Sequence, residues 1–386
     1  MNFNPEQALT YARAWSRPRR VGSGEEARVA DEMVGLLESF GWRVRREAFE
    51  FVPLFNAVLI LELLVGDILI ALTLWGQATA WASAGAAGLL LLAASFGAIN
   101  RAAQIGSLRV KWPGLRKYKT ANIVADWPTP MNLALPMLYL VAHYDSKSQR
   151  LPLVWRMILF TVMLASAVLF AGLTLGQLLF PTLGAVATGA GWLALLAGIP
   201  LLFMQDTGNE SPGAIDNASG AGLVAHLAEC LAQSLDWQNK LRVRVLITSA
   251  EEFALMGAVA YMQAHEAELR EQARGGGLYV LNFDGVGVKG KLCHVGHDNR
   301  LLNWVEAAGR ELNFPLGRFN LPGALFDHTP FAEAGFEALS LVTVGRASLA
   351  VHTRGDDVDK LDVEGFRQAG EVALRVIERL RDLVIG

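Results

Sequence analysis

Charge is scarce in this chain. Asp, Glu, Lys and Arg make up 18% of its 386 residues, against about 25% in soluble domains, while apolar residues reach 52%. That balance argues against a wholly solvent-exposed protein and for segments placed in lipid. Basic excess is missing too: the formal net charge is -3, which excludes an electrostatic footprint for nucleic acid. Cysteine is reduced to Cys230 and Cys293. Two thiols in no metal-binding spacing exclude a disulfide framework and a cysteine zinc site, and fit a reducing setting. The start, Met1-Asn2-Phe3-Asn4-Pro5-Glu6, lacks the basic and then apolar regions of a secretory signal. Membrane insertion is therefore expected only from internal segments.

Two such segments stand out. Residues 54–75 are apolar except for Asn56, Glu62 and Asp67, and residues 80–99 carry no charge, with Gly76-Gln77-Ala78-Thr79 between them. A second pair covers 153–180 and 182–204, joined near Pro181, with Arg156 as its one charge. A bilayer core asks for about 20 apolar residues per helix, so each pair reads as a transmembrane hairpin. Four buried helices of a soluble protein are the alternative. Glu62 and Asp67 inside the first span are costly there; helix–helix hydrogen bonding is the simpler account of them, a polar path the other.

Outside the hairpins the pattern is α/β. Ser23 with Glu26 forms a capping-box signature, followed by helical spacing at Val29, Met33, Leu36, Leu37 and Phe40, and then by a strand over 42–51. Further strands are expected at 122–125, 138–142, 241–248, 278–283 and 338–344, with helices at 220–234, 254–272, 300–312 and 362–384. Alternation of this kind predicts a layered α/β fold, a three-layer αβα sandwich on a mixed central sheet. Hairpins that leave and re-enter one side put 1–52, 101–152 and 205–386 together as one domain, interrupted by hairpins at 53–100 and 153–204.

The chemistry gathers at strand ends. Strand 138–142 runs into His143-Tyr144-Asp145, strand 241–248 into Glu251-Glu252, strand 278–283 into Asp284, and strand 338–344 leads on to His352. Asp216 lies in a loop that enters the helix at 220. Ligands in open α/β sheets bind beyond the carboxyl ends of the strands. Singly, each piece reads as ordinary polarity; jointly they form an imidazole- and carboxylate-rich set suited to zinc, cobalt or manganese. Asp216, Glu252 and Asp284 supply three negative charges, and His143 and His352 bind as neutral rings. Two divalent cations and one hydroxide would balance them, whereas one cation leaves the carboxylates crowded.

The blocks AHYDS (142–146), GAIDNASG (213–220), SAEEFALMGA (249–258), NFDGVG (282–287), FDHTPFAEAGFEAL (326–339) and HTRGDDVDKLD (352–362) resemble metallopeptidase family 28. These are the co-catalytic zinc aminopeptidases related to bacterial leucyl aminopeptidase and glutamate carboxypeptidase. The resemblance covers the expected soluble portion nearly end to end and leaves out the hairpins, one of which falls between His143 and Asp216 where relatives have a short loop. It implies two zinc ions bridged by Asp216, with His143 and Asp284 completing one site and Glu252 and His352 the other. It further implies Glu251 as general base toward a metal-bridging hydroxide, Asp145 as the partner that orients His143, and a cis peptide after Asp216. Asp327, His328 and Phe331 fall in a block beside the substrate pocket of relatives.

The resulting expectation is a membrane-anchored di-zinc aminopeptidase acting on peptide substrates, with lipid around four helices and an oligomeric state left open, a homodimer included. A carboxypeptidase or other amide hydrolase, and a non-catalytic receptor-like module, are the competing readings. Arg43, Arg45, Arg46, Arg101, Arg109, Lys111, Lys147 and Arg150 flank the spans on the catalytic side, while the turns at 76–79 and 179–183 carry no Lys or Arg. By the positive-inside rule this expects an integral membrane protein with its catalytic domain on the cytoplasmic face.

Overall fold

A computed structural model describes residues 2–76, 80–111, 113–128, 132–203, 207–234, 236–320 and 324–382. The helices are α1 (Pro5–Trp15), α2 (Gly24–Ser39), α3 (Leu54–Trp75), α4 (Ala80–Arg109), α5 (Leu153–Gly176), α6 (Gly184–Phe203), α7 (Ser219–Ala232), α8 (Met256–Arg274), α9 (Arg300–Glu311), α10 (Thr329–Glu333) and α11 (Val363–Asp382). The strands are β1 (Arg43–Phe51), β2 (Tyr118–Asp126), β3 (Met137–His143), β4 (Ser148–Gln149), β5 (Thr207–Gly208), β6 (Arg242–Thr248), β7 (Leu278–Phe283), β8 (Lys291–Val295), β9 (Gly317–Arg318) and β10 (Glu337–Val344). The chain divides into two units: Met1–Phe51 with Arg116–Ser148 and Gly208–Gly386, and Val52–Leu115 with Gln149–Thr207.

The first unit is built on an eight-stranded mixed sheet in the order β1-β2-β6-β3-β7-β10-β8-β9, with β4 and β5 paired apart from it. β6, β3, β7 and β10 run parallel to their neighbours, and β2 and β8 join this core antiparallel. All seven residues of β3 are buried, as a parallel strand covered on both faces requires. The period-two alternation then sorts its side chains. Leu138, Leu140 and Ala142 join one core with α1, α2, α7, α9 and α11. Met137, Tyr139 and Val141 join the other with α8 and α10. The expected layered α/β fold on a mixed sheet is thus present.

Local signals explain the helix starts. Asn4 accepts from the backbone N–H of Glu6 ahead of Pro5, and Ser23 accepts from that of Glu26, each satisfying a donor the helix leaves open. The expected strands and helices all appear. Sequence periodicity did not disclose α1, α10, β8 or β9, which are short or packed on elements distant in the chain.

The second unit holds α3, α4, α5 and α6, packed around Ile70, Ala86, Leu89, Phe170 and Ala187. Helix α4 runs on to Arg109, past the apolar stretch that was expected to end at residue 99, so the segment after it is helix rather than the start of the sheet domain. Glu62 accepts a hydrogen bond from the Asn100 side chain at 2.5 Å, a helix–helix bond of the expected kind. Residues 77–79 of the expected first link lie outside the described residues. Leu54–Trp75, Trp81–Arg109, Leu153–Gly176 and Pro181–Phe203 are each long and apolar enough to cross a membrane.

Helix α7 approaches α1 at Gly222, where an added Cβ would stand 2.6 Å from the Ala12 nitrogen and 2.7 Å from the Ala8 oxygen. Both are backbone atoms and cannot rotate away. Gly222→Ala is expected to cost about 1–3 kcal/mol through overpacking, read as a lowered denaturation midpoint; an unchanged midpoint would show that the helices can separate freely.

Candidate metal centre

The parallel strands deliver their carboxyl ends to one edge. There β3 ends at His143, β6 is followed by a tight turn through Ala250 into Glu251 and Glu252, and β7 is followed by Asp284. The loop before α7 brings Asp216, and the loop after β10 brings His352. Asp216 is central. Its Oδ1 is 3.0 Å from His143 Nε2 and its Oδ2 is 3.0 Å from His352 Nε2. On one side Asp284 Oδ1 stands 3.8 Å from His143 Nε2; on the other, Glu252 Oε2 stands 3.2 Å from His352 Nε2. Two triads result, His143–Asp216–Asp284 and Asp216–Glu252–His352, with the ligand atoms of each within 4.8 Å of one another.

The donors fit divalent cations. Glu252 Oε1 and His143 Nε2 are buried without a hydrogen-bond partner among the described residues, and buried polar atoms are seldom left so. One imidazole and two carboxylates per cluster, sharing one carboxylate, are consistent with a di-zinc site. His352 itself has positive φ, 63°, an uncommon conformation outside glycine that is retained where surrounding structure demands it.

The loop carrying Asp216 is held from several directions. The peptide Asp216–Asn217 is cis. The Asn217 side chain donates to the Phe283 carbonyl at 2.8 Å and accepts from the N–H groups of Gly220 and Gly285. A Cβ at Gly220 would stand 2.2 Å from that same carbonyl, so only glycine lets the helix start this close to β7. The Asp356 carboxylate accepts from the N–H groups of Ile215 and Asp216; burial pushes its pKa up to about 7, with these two bonds opposing.

Asp145 is fully buried. Its two carboxylate oxygens accept from the N–H groups of Glu251 and Glu252, each at 3.2 Å. Toward His143 Nδ1 its backbone carbonyl is nearer, at 3.2 Å, than its carboxylate, at 3.5 Å. Asp145 therefore ties the β3 end to the turn after β6 as well as bordering the ring. Glu251 Oε2 lies 3.9 Å from His143 Nε2. Burial holds the Glu251 carboxyl well above its usual range; His143 opposes this, while Glu252, Asp284 and Asp327 add repulsion.

The three residues expected beside the pocket separate. Asp327 is fully buried, accepts from the Thr248 hydroxyl, and is pushed by burial to about 7. His328 is buried with Nδ1 2.6 Å from the Ser340 hydroxyl, and burial lowers it to about 4. Phe331 corrects the expectation: it is fully buried among Tyr139 and Tyr261, in the core behind the sheet, because its place on α10 turns it toward α8 rather than the strand ends.

Two site residues escaped the sequence reading. Lys147, counted there among the basic flanks of a span, has Nζ 2.6 Å from Glu252 Oε2. Arg19, in an unremarked basic run, is fully buried. Its guanidinium donates to the carbonyls of Tyr144 at 2.5 Å, Pro212 at 2.5 Å and Gly213 at 2.8 Å. Position one beyond the AHYDS block was the available signal for Lys147; for Arg19 there was none, since its partners are remote in the chain.

Fold and paired clusters together define a zinc-dependent metallopeptidase with a two-metal site. The sequence profile of peptidase family M28 matches residues 122–377, and the chain belongs to that family. Among solved structures, a zinc aminopeptidase from Bacillus subtilis is similar at TM-score 0.58 and 14% identity, over 98% of this chain and 95% of that one. An aminopeptidase from Aneurinibacillus sp. strain AM-1 is similar at 0.59 and 15%, over 98% and 94%. A glutaminyl cyclase from Porphyromonas gingivalis is similar at 0.57 and 15%, over 98% of both chains. Among curated protein sequences none matches.

These structures give the expected transmembrane hairpins no support and overturn the expected location. The enzymes named above align over 98% of this chain, against an integral membrane protein facing the cytoplasm. The expectation rested on length and apolar composition, which meet a bilayer's demand without by themselves establishing insertion, and a charge asymmetry around such helices does not determine sidedness.

Replacing Arg19 by Met is expected to lower stability by about 3 kcal/mol or more, since buried carbonyls left without donors cost about 1–3 kcal/mol each. Zinc content should fall with it, because Arg19 joins the His143 loop to the Asp216 loop. Denaturant unfolding and elemental analysis of the purified variant check both; full zinc occupancy at wild-type stability would deny Arg19 that role.

Proposed function

We propose that this chain is an exopeptidase that removes residues from the amino end of peptides. The observation that carries the reading is the pair of metal-binding triads joined through Asp216, with Glu251 beside them. The aminopeptidases among its structural neighbours support cleavage at the amino end.

In this reading His143, Asp216 and Asp284 would hold one cation, and Asp216, Glu252 and His352 the other. When bound, such a pair polarises the scissile carbonyl and makes water acidic enough to attack near neutral pH. Glu251 takes the proton released by the attacking water and hands it to the leaving amine. A carboxyl raised by burial and by neighbouring carboxylates is suited to both halves of that transfer. Asp145 positions the machinery by fixing the backbone of Glu251 and Glu252. Asp327, buried under Thr248 with its charge close to Glu251, helps to keep the base's proton affinity high.

The match to a glutaminyl cyclase favours a second reading, cyclisation of amino-terminal glutaminyl peptides on the same site. A panel of free-amine, amino-blocked and glutaminyl peptides separates the two. Release of free amino acids from free-amine peptides alone supports the aminopeptidase; cleavage of blocked peptides from the carboxyl end, or ring closure without hydrolysis, displaces it.

Glu251→Gln keeps the shape and removes the base. It is expected to lower kcat by at least a thousandfold with zinc near two per chain, and activity within tenfold of wild type would refute the assignment. Asp216→Asn is expected instead to reduce zinc occupancy, as measured by elemental analysis, because it removes the shared charge.

A further inference from the structure

The two triads have the same ligand types, one imidazole and two carboxylates, and differ in one cation of the protein's own. The Lys147 side chain is 16% exposed and its Nζ is 2.6 Å from Glu252 Oε2. That same oxygen is 3.2 Å from His352 Nε2, which in turn is 3.0 Å from Asp216 Oδ2. The ammonium thus enters the Asp216–Glu252–His352 triad through one of its ligand atoms. On the other side, no lysine or arginine among the described residues is ion-paired with Asp284, whose near neighbour is His143 at 3.8 Å.

Two consequences follow from charge alone. An ammonium in a short charge-assisted bond to Glu252 Oε2 leaves Oε1 as the unpartnered oxygen and offsets the negative charge that a metal would bind. It also repels a divalent cation placed against the same carboxylate, and such repulsion is strong where water is largely excluded. The bond does not touch the His143–Asp216–Asp284 triad, which meets the ammonium charge only through the shared Asp216. Because Asp216 is shared, a cation on that side further withdraws charge from the triad that Lys147 already offsets.

We propose that Lys147 makes the Glu252–His352 site the weaker of the two, so that metal loads in order, first beside His143 and Asp284 and only then beside Glu252 and His352. The second metal is then the exchangeable one, and the fully loaded enzyme tracks the free metal concentration of its surroundings. The inference rests on the two-metal reading of the site and assigns Lys147 a role in metal affinity, not in the chemical step.

The test is a zinc titration of the chelator-stripped full chain by calorimetry and by competition with a chromophoric chelator, with zinc per chain counted at each plateau. Two resolved steps are expected, the second at least tenfold weaker. Asp284→Asn should remove the tighter step and Glu252→Gln the weaker one. Lys147→Met and Lys147→Gln should tighten the second step by tenfold or more and leave the first within twofold, whereas Lys147→Arg, which keeps the charge, should retain two separated steps. Equal affinities in the wild type overturn the proposal. So does a second step that is unchanged or weakened in both neutral variants, the result expected if Lys147 merely props Glu252 in place. A wild-type chain that takes up no zinc overturns the two-metal reading itself, an outcome distinct from two zinc ions bound with equal strength.

Discussion

The carboxyl edge of the sheet is organised around one mostly buried carboxylate, Asp216, whose two oxygens each lie 3.0 Å from a different histidine nitrogen. Around it stand Glu251, Glu252 and Asp284, all buried. Like charges at this spacing in a poorly hydrated place repel strongly. Such a cluster holds together only if cations are supplied, by metals and by the protein's own basic groups. The neighbouring Arg19 and Lys147 answer that demand in part, and the remainder defines the metal-binding character of the site.

The fold meets the same constraint with backbone. No ligand stands on a flexible excursion of its own. His143 is the last residue of β3, Glu252 follows β6 in a turn whose N–H groups are held by Asp145, and Asp284 follows β7. The Asp216 loop is bound through Asn217 to β7 and through Asp356 to the segment just beyond His352. The segments that carry the candidate ligands are thereby hydrogen-bonded to one another. The two triads are thus linked through backbone contacts as well as through Asp216.

Much of this was legible in the residues themselves. His143, Glu252 and Asp284 fall where a strand signal ends and Asp216 and His352 in loops, and the structure brings these five candidate ligands together. Residues whose meaning depends on what they meet across the fold were misread or missed. Phe331 shares a block with Asp327, yet α10 points it into the opposite core. Lys147 looked like a basic flank of a span and is bonded to Glu252. Arg19 joins loops that lie far from it in the chain. The location was misjudged as well, because length and hydropathy alone establish neither insertion nor sidedness.

What the sequence determined by itself was periodicity and the order of chemical groups: an α/β alternation, four long apolar helices, and five candidate ligands in strand ends and loops. Those depend on neighbours a few residues apart, and spacing along the chain carries them. What only the tertiary structure decided was which oxygen faces which nitrogen, how the carboxylates share their surroundings, and where the two compensating cations sit. Coulomb energy and hydrogen bonding fall off over a few ångströms in space, and distance along the chain does not report that separation.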